Sequence, residues 1–296
     1  MFSGTTPPTR ARSASCSSRF IYKHLSKTAG TLASNIVLEL GPSFVFVPDK
    51  MPLTAFHAEP DDWVVGSVRS VCGLYFSLWG YMPSKACSFA RDKEQHRRCD
   101  DALRRTTAPH ALPQWLSSAS IAADGPGMMS AEFWRSYLGP PSCFSFEHGW
   151  ERVGGHPHCS AERVSRDLLD LGRGALWSPV DCWVRQEAYL QDFEECVEAF
   201  LRRRCSHAQD HVLMERELAN MSATIRNVDA AFQAGHAKVG GLVHLKAHDR
   251  HKNDSLKCVD AFAPHAVAEE GGESAWQLVQ RLDGALLNMT GCCSAH

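Results

Sequence analysis

The sequence predicts an α/β protein with a mostly parallel sheet, because patterns typical of strands alternate with patterns typical of helices. Residues 20–22 form a short apolar run suited to a buried strand, and residues 32–40 carry apolar side chains at helical spacing. A second strand pattern covers 44–47, and a third at 61–69 precedes a helical pattern at 70–80. This order favours a three-layer core with helices on both faces and a ligand at the carboxyl ends of the strands.

The chain has 296 residues, enough for one large domain that carries insertions. We expect a single domain over 20–296. Residues 1–19 are rich in Ser, Thr and Pro, with three arginines and no acidic residue, which indicates a disordered leader, a transit-like segment or the stub of an anchor. Between about 82 and 160, Pro/Gly-rich stretches and a charged helical pattern indicate a helical insertion.

Composition limits the classes of function. The formal net charge of -2 gives no general attraction to nucleic acid, and no apolar run approaches the ~20 residues of a membrane span. Twelve cysteines without a Cys-x-x-Cys pair indicate neither a zinc ribbon nor a thioredoxin-like site, and they leave disulfides open. Three Asn-x-Ser/Thr sequons, at Asn220, Asn253 and Asn288, suit a secretory compartment.

The segment between the first strand and the first helix has the properties of a phosphate-binding turn. It covers 23–31, and its backbone N–H groups are expected to point at an anion beside the positive end of the helix dipole. Gly30 permits close approach of the backbone, and Lys27 adds a mobile ammonium at the same place. A Walker loop is excluded by spacing, because Ile21 and Ser26 stand where its two glycines belong.

This segment resembles the 5′-phosphosulfate loop of the sulfotransferases, especially the carbohydrate branch. The family pattern is a strand, then His-x-Pro-Lys-Thr-[Gly/Ala]-Gly-Thr-Ser, then a helix. Ser26 replaces the family proline and Leu32 replaces the family serine, while the Lys-Thr-Ala-Gly-Thr core is retained. The resemblance implies a P-loop-like fold, and the nucleotide contacts that it implies are Ser26, Lys27, Thr28, Ala29, Gly30 and Thr31.

A second motif lies at the end of the third predicted strand. The 3′-phosphate motif of the same family has an arginine at a strand end and a serine eight positions later, which is the relation of Arg69 to Ser77. The planar arginine fork donates two parallel hydrogen bonds to a phosphate, and a serine hydroxyl adds a third. The family's Arg-Asp-Pro is Arg69-Ser70-Val71 here, and Gly73 replaces an arginine often found four residues on.

Two later segments extend the resemblance. Residues 181–193 are similar to a later core strand of the family with its trailing Glu and Leu-x-x-Asp-Phe, and we interpret Glu187 as a packing residue. Residues 244–252 are dense in cations and imidazoles. Three interpretations stay open for them: a metal site at His244 and His248, a solvated loop, or a basic loop over the 3′-phosphate. The family's late basic loop implies contacts from Lys246, Arg250 and Lys252.

The resemblance implies transfer of the sulfuryl group of 3′-phosphoadenosine 5′-phosphosulfate (PAPS) to a hydroxyl, with a carbohydrate as the expected acceptor. Lys27 is then expected to offset the charge that develops on the leaving group. In the family, a histidine in the loop before the arginine strand removes the acceptor proton, which implies His57 as catalytic base, with Glu59 as the alternative. No metal is required in this scheme, and the implied compartment is the Golgi lumen, with cytoplasm or plastid as alternatives.

Two other functions stay open. The departures from the family motifs are compatible with a catalytically degenerate relative that binds nucleotide or sugar, and the retained Lys-Thr pair is compatible with a P-loop kinase. We expect no nucleic-acid partner and no membrane span. The sequence leaves the acceptor, the disulfide pairing and the oligomeric state undetermined.

Overall fold

The structure, a computed structural model, describes residues 18–25, 28–49, 51–77, 127–139, 161–173, 178–204, 211–234, 262 and 274–292. Within these ranges the chain forms a four-stranded parallel sheet with helices, which confirms the expected α/β class. The strands are β1 (Phe20–Lys23), β2 (Phe44–Val47), β3 (Trp63–Val68) and β4 (Cys182–Arg185). The helices are α1 (Gly30–Leu40), α2 (described over 71–77), α3 (Met128–Tyr137), α4 (Ala161–Gly172), α5 (Tyr189–Arg204), α6 (His211–Gln233) and α7 (Ala275–Thr290).

The order of the strands creates a crevice at one edge of the sheet. The order is β2-β1-β3-β4, and every neighbouring pair runs parallel. The chain leaves β1 through α1 to form β2 on one side, and it then crosses back to place β3 on the other side of β1. At such a reversal an open α/β sheet has a crevice beyond the carboxyl ends of its two central strands. Here the crevice lies between β1 and β3.

Helices cover both faces of this sheet, which explains why its strands read as short apolar runs. Side chains of α1, α5 and α6 pack with Phe20, Tyr22 and Val65 in one core. Side chains of α2, α3, α4 and α7 pack with Val64 and Val68 in a second core on the opposite face. The strand side chains alternate between the two cores because successive residues of a strand point to opposite faces.

A buried carboxylate joins three helices of the second core. Asp283 interrupts α7 with non-helical φ and ψ of -129° and 28°, and it is 1% exposed. Its Oδ1 accepts a 2.8 Å hydrogen bond from the N–H of Ser130 in the first turn of α3, and its Oδ2 accepts one from the Tyr75 hydroxyl of α2. A Cβ at Gly127 would overlap this carboxylate, so the glycine before α3 leaves the room that Asp283 needs.

Two disulfides crosslink the described parts of the chain. Cys72 in α2 is bonded to Cys292 after α7, across a sequence separation of 220 residues, and Cys182 in β4 is bonded to Cys196 in α5, 14 residues away. In the chain-entropy account, the longer loop restricts the unfolded chain more. The Cys72–Cys292 bond holds the end of α7 against the start of α2, where Val71 N donates to the Gly291 carbonyl at 3.2 Å.

The three strand patterns and the helices after the first and third strands lie where the sequence placed them. Residues 1–17 of the predicted leader lie outside the described residues, and so does most of the predicted insertion at 82–160. The part of the insertion that is described contains α3, which belongs to the core, since Trp134 and Tyr137 are each 1% exposed. Among the described ranges, no helix has both the length and the apolar character needed to cross a membrane.

Replacing Asp283 by Ala is expected to lower the free energy of unfolding by roughly 2–4 kcal/mol, because the buried N–H of Ser130 and hydroxyl of Tyr75 lose their acceptor. Urea denaturation followed by circular dichroism measures the change. Glu217→Ala, at an exposed position of α6, is the matched control and should change the value by less than about 0.5 kcal/mol. Equal effects of the two substitutions would show that this carboxylate does not hold the three helices together.

Candidate functional site

The two predicted phosphate-binding motifs begin at the same edge of the sheet. The predicted phosphate loop follows β1, Arg69 follows β3, and these strands pair with Lys23 opposite Gly66. The carboxyl ends of parallel neighbours meet at one edge, so the two segments leave the sheet beside one another at the crevice. The predicted contacts that lie outside the described residues are Ser26, Lys27, Lys246, Arg250 and Lys252.

Ser67, in β3, connects the predicted phosphate loop to the strand that precedes Arg69 through hydrogen bonds. Its Oγ accepts a 2.7 Å hydrogen bond from Leu25 N, lies 2.6 Å from Thr28 Oγ1, and donates to the Lys23 carbonyl at 3.2 Å. Ser67 is fully buried, so these bonds form away from water. The loop is therefore built directly on β3, two residues before Arg69.

The hydroxyl of Tyr137 closes the floor of the crevice from α3. It accepts a 2.9 Å hydrogen bond from Ser67 N, donates to the Ser67 carbonyl at 2.7 Å, and lies 3.3 Å from the Lys23 carbonyl. Burial raises the pKa of Tyr137 far above its ordinary value, so the hydroxyl keeps the proton that it donates. The sequence has no local signal for these hydrogen-bonding roles of Ser67 and Tyr137, which act on the loop from other elements of the fold.

Thr28 turns its side chain into the protein. Its hydroxyl donates to the Leu25 carbonyl at 2.6 Å, and the residue is 1% exposed. Thr28 N donates to the same carbonyl at 3.2 Å. The resemblance implied that Thr28 contacts the nucleotide, and the structure instead uses the Thr28 hydroxyl to shape the turn.

The turn before α1 is left-handed at Ala29. This residue has φ 57° and ψ 32°, and among the described residues other than glycine it alone has a positive φ. A left-handed residue in such a turn directs successive backbone N–H groups to one side, the arrangement of an anion-binding nest. Alanine has no side chain that could cap α1, and Thr31 in the first turn is exposed. The first N–H groups of α1 thus keep the donor capacity that an anion uses.

Gly30 makes room for a histidine of the same loop. A Cβ at Gly30 would overlap the imidazole of His24. That imidazole stacks on Phe46 with ring centroids 5.9 Å apart, and its Nδ1 lies 3.3 Å from Thr28 Oγ1. His24 occupies the histidine position of the family pattern, and here it packs against the first residue of α1. The sequence predicted that an anion would approach the backbone closely at Gly30. The structure places the His24 imidazole in that space.

Arg69 leaves β3 beside a carboxylate at the end of β4. Glu187 Oε1 accepts a 3.0 Å hydrogen bond from Ser70 N, and its charge opposes the lowering of the Arg69 pKa that burial causes. A Cβ at Gly73 would lie 3.0 Å from Arg69 Nε, so the absence of a side chain at this position leaves room for the guanidinium. Glu187 therefore holds the backbone just after Arg69, in addition to the packing role expected from the sequence. Ser77 is half-buried in α2, about 9 Å along the helix axis from its first residue.

The structure places His57 at the opposite edge of the sheet. Its carbonyl accepts a 3.2 Å hydrogen bond from Nη2 of Arg19, the residue before β1. Asp62, the residue before β3, holds the same segment by accepting a 2.6 Å bond from Arg19 and a 2.7 Å bond from Glu59 N. A four-residue strand spans about 13 Å. The structure thus keeps His57 and Glu59 about one strand length from the phosphate loop, and a catalytic base at either position has no geometric support.

Among the described residues, no group of three or more His, Cys, Asp or Glu side chains is arranged to hold a metal ion. No protein-family model, curated protein or solved structure matches this chain. The candidate site is therefore argued from the crevice itself and from the motifs that border it.

Replacing Ser67 by Ala is expected to lower the free energy of unfolding by roughly 1–3 kcal/mol, because the buried N–H of Leu25 loses its acceptor. Urea denaturation measures the loss. Ser34→Ala is the matched control, since the Ser34 hydroxyl makes an exposed bond to the Thr31 carbonyl inside α1. An S67A protein as stable as S34A would show that the loop does not depend on β3.

Replacing Ala29 by Gly is expected to raise the free energy of unfolding by roughly 0.5–1 kcal/mol. The left-handed conformation costs an L-residue roughly 1–2 kcal/mol, and the greater freedom of glycine in the unfolded chain offsets part of that gain. Ala33→Gly, a buried position inside α1, should have the opposite sign. Destabilisation by both substitutions would contradict a left-handed Ala29.

Proposed function

We propose that this chain transfers the sulfuryl group of PAPS to a hydroxyl, with a carbohydrate as the expected acceptor, on a P-loop-like core. One observation carries the proposal: the predicted 5′-phosphosulfate loop and the predicted 3′-phosphate arginine leave adjacent strand ends and are connected through Ser67. A nucleotide with phosphates on both sides of one ribose is a ligand that can contact both segments at once. ATP, whose phosphates form one chain, has no group for the second position.

The chemistry of sulfuryl transfer is close to that of phosphoryl transfer, in which positioning and charge stabilisation do most of the work. In the proposed reaction, Lys27 offsets the charge on the bridging oxygen as adenosine 3′,5′-bisphosphate departs. The N–H groups at the start of α1 bind the 5′-phosphate, and Arg69 binds the 3′-phosphate. These groups supply the positive potential that a kinase obtains partly from magnesium.

We also propose that the protein acts in an oxidising compartment, the Golgi lumen. The disulfides Cys72–Cys292 and Cys182–Cys196 favour it, because such bonds persist in the secretory pathway and are rare in the cytosol. The sequons at Asn220 and Asn288 also suit it, since both asparagines are exposed, on α6 and α7.

A catalytically degenerate relative that keeps the nucleotide site is the second candidate. Two observations favour it: His57 lies away from the phosphate loop, and the Thr28 hydroxyl faces the protein interior. The two candidates differ in turnover and agree in nucleotide binding. An assay with radiolabelled PAPS and a panel of desulfated heparin and chondroitin separates them.

Ligand binding by Arg69→Ala tests the two-phosphate site. Adenosine 3′,5′-bisphosphate at a hundredfold its dissociation constant should stabilise the wild-type protein by about 2.7 kcal/mol in a thermal-shift experiment. R69A should bind the bisphosphate about 10- to 150-fold more weakly, the loss expected for one charge-assisted contact, and should bind AMP as the wild type does. Arg202→Ala, at an exposed position of α5, is the matched control.

Each outcome of this comparison supports or contradicts a stated part of the proposal. Equal loss of AMP and bisphosphate affinity in R69A would place Arg69 outside the 3′-phosphate site. Tighter binding of magnesium-ATP than of the bisphosphate would favour a P-loop kinase. A wild-type protein that binds none of the three nucleotides would overturn the proposal.

A further inference from the structure

The segment that follows α7 packs on the first turn of α2, the helix that begins just after Arg69. Cys292 is bonded to Cys72, and the Gly291 carbonyl accepts a 3.2 Å hydrogen bond from Val71 N. Val71 and Cys72 are fully buried, so both contacts form away from water. The two cysteines are 220 residues apart, so a distant part of the chain holds the start of α2.

Gly291 has the backbone conformation that this contact requires. Its φ is 74° and its ψ is 179°, a combination that residues other than glycine rarely adopt. Its N–H donates to the Leu287 carbonyl at 2.8 Å and completes the last turn of α7, while its carbonyl accepts the bond from Val71 N. The chain can therefore leave α7 toward α2 here because position 291 is glycine.

The side chain of Arg69 lies against the same turn of α2. A Cβ at Gly73 would lie 3.0 Å from Arg69 Nε and 3.5 Å from Arg69 Cγ. Gly73 is the residue after Cys72, so the guanidinium and the disulfide contact adjacent residues of one helical turn. A movement of that turn would move the surface on which the guanidinium rests. The direction in which Arg69 donates its hydrogen bonds is therefore linked to the position of Cys72.

α7 contacts α2 at a second point. The Tyr75 hydroxyl donates a hydrogen bond to Asp283 Oδ2, and both residues are buried. Cys72 and Tyr75 are three positions apart, which is about 4.5 Å along the helix axis. A helix held at one point can pivot about it, whereas two points fix its direction. Removal of the disulfide would therefore release the end of α2 nearest Arg69, while the Tyr75 bond keeps the helix on α7.

We infer that Cys72, Cys292 and Gly291 are positioning residues of the nucleotide site, which hold Arg69 in the orientation that binds a 3′-phosphate. This inference rests on the proposed function. The three residues do not touch the nucleotide, and they act through Arg69 alone. Their effect is selectivity for a nucleotide that carries a 3′-phosphate over a 5′-monophosphate. A disulfide that served stability alone would leave this selectivity unchanged, and the experiments below use that difference.

A variant with both Cys72→Ala and Cys292→Ala removes the crosslink and leaves no unpaired thiol of this pair. Its dissociation constant for adenosine 3′,5′-bisphosphate should rise at least about fivefold, and by no more than the 10- to 150-fold expected for R69A. Its dissociation constant for AMP, which has no 3′-phosphate, should stay within about twofold of the wild-type value, because the loop after β1 is unchanged. Isothermal titration calorimetry with the two nucleotides measures both constants.

Loss of the crosslink is also expected to lower the stability of the fold, so the comparison needs a destabilised control. Val197→Ala creates a cavity in the core on the other face of the sheet, away from α2 and α7. This variant should bind both nucleotides as the wild type does. Titrations are done at a temperature at which circular dichroism shows that every variant is folded.

Gly291→Ala tests the same inference with both cysteines in place. A Cβ is strained at the backbone angles of Gly291, so the Val71 bond should be displaced and the bisphosphate affinity should fall while AMP affinity is kept. Gly284→Ala is the matched control in the same helix, since a Cβ there meets no atom of the described residues within 4 Å. G284A should keep wild-type affinity for both nucleotides.

A double-mutant cycle shows whether the crosslink acts through Arg69. In the R69A background, replacing both cysteines should change the bisphosphate affinity by less than about twofold, because the contact that they position is already absent. A further loss as large as that seen in the wild-type background would show that the crosslink acts on another part of the site.

The outcomes separate this inference from the proposed function. If the wild type binds the bisphosphate and the crosslink variant and G291A bind it equally well, only the inference is overturned. Equal loss of AMP and bisphosphate affinity would also overturn it, because such a loss indicates a general disturbance of the fold. If the crosslink variant does not fold, G291A against G284A decides the question. A wild-type protein that binds neither nucleotide would overturn the proposed function and this inference together.

Discussion

The hydrogen bonds of Ser67 are the constraint on which the candidate site depends. Reversal of the strand order opens a crevice between β1 and β3, but it does not fix the path of the chain that leaves β1. The Ser67 hydroxyl fixes that path by bonding to Leu25 N and the Lys23 carbonyl. Tyr137 then fills the space beneath the loop with a hydroxyl, so polar backbone groups at the end of β3 stay paired inside the core.

Buried charges at the carboxyl edge have partners on more than one element. The ammonium of Lys23 is surrounded by carbonyls of His24 and Pro48, at the ends of β1 and β2. Arg69 leaves β3 beside Glu187 of the segment after β4. Buried charges need such partners, because an isolated ion in a protein interior is very costly. These partners thus join neighbouring elements at the edge where an anion is expected.

The strands that border the candidate site were predictable from the sequence, and the contacts between distant residues were not. The segment before α1 and Arg69 each follow a short apolar run, and such patterns need no knowledge of the fold. Ser67 bonds a residue 42 positions away and Tyr137 one 114 positions away, so neither role is visible in a local pattern. The His57 prediction relied on position in the chain alone. The bidentate contact between Arg19 and Asp62 draws that segment to the amino edge, a result of tertiary pairing.

The Cys72–Cys292 crosslink has a consequence for how the protein can be prepared. Cys292 follows α7, and its partner Cys72 is three residues after Arg69. A substitution at Cys292 therefore acts next to the crevice between β1 and β3, although the two cysteines are 220 residues apart in sequence. Expression in a reducing cytosol would leave both thiols free and remove this tie, so a periplasmic or eukaryotic secretory host is the appropriate source of material.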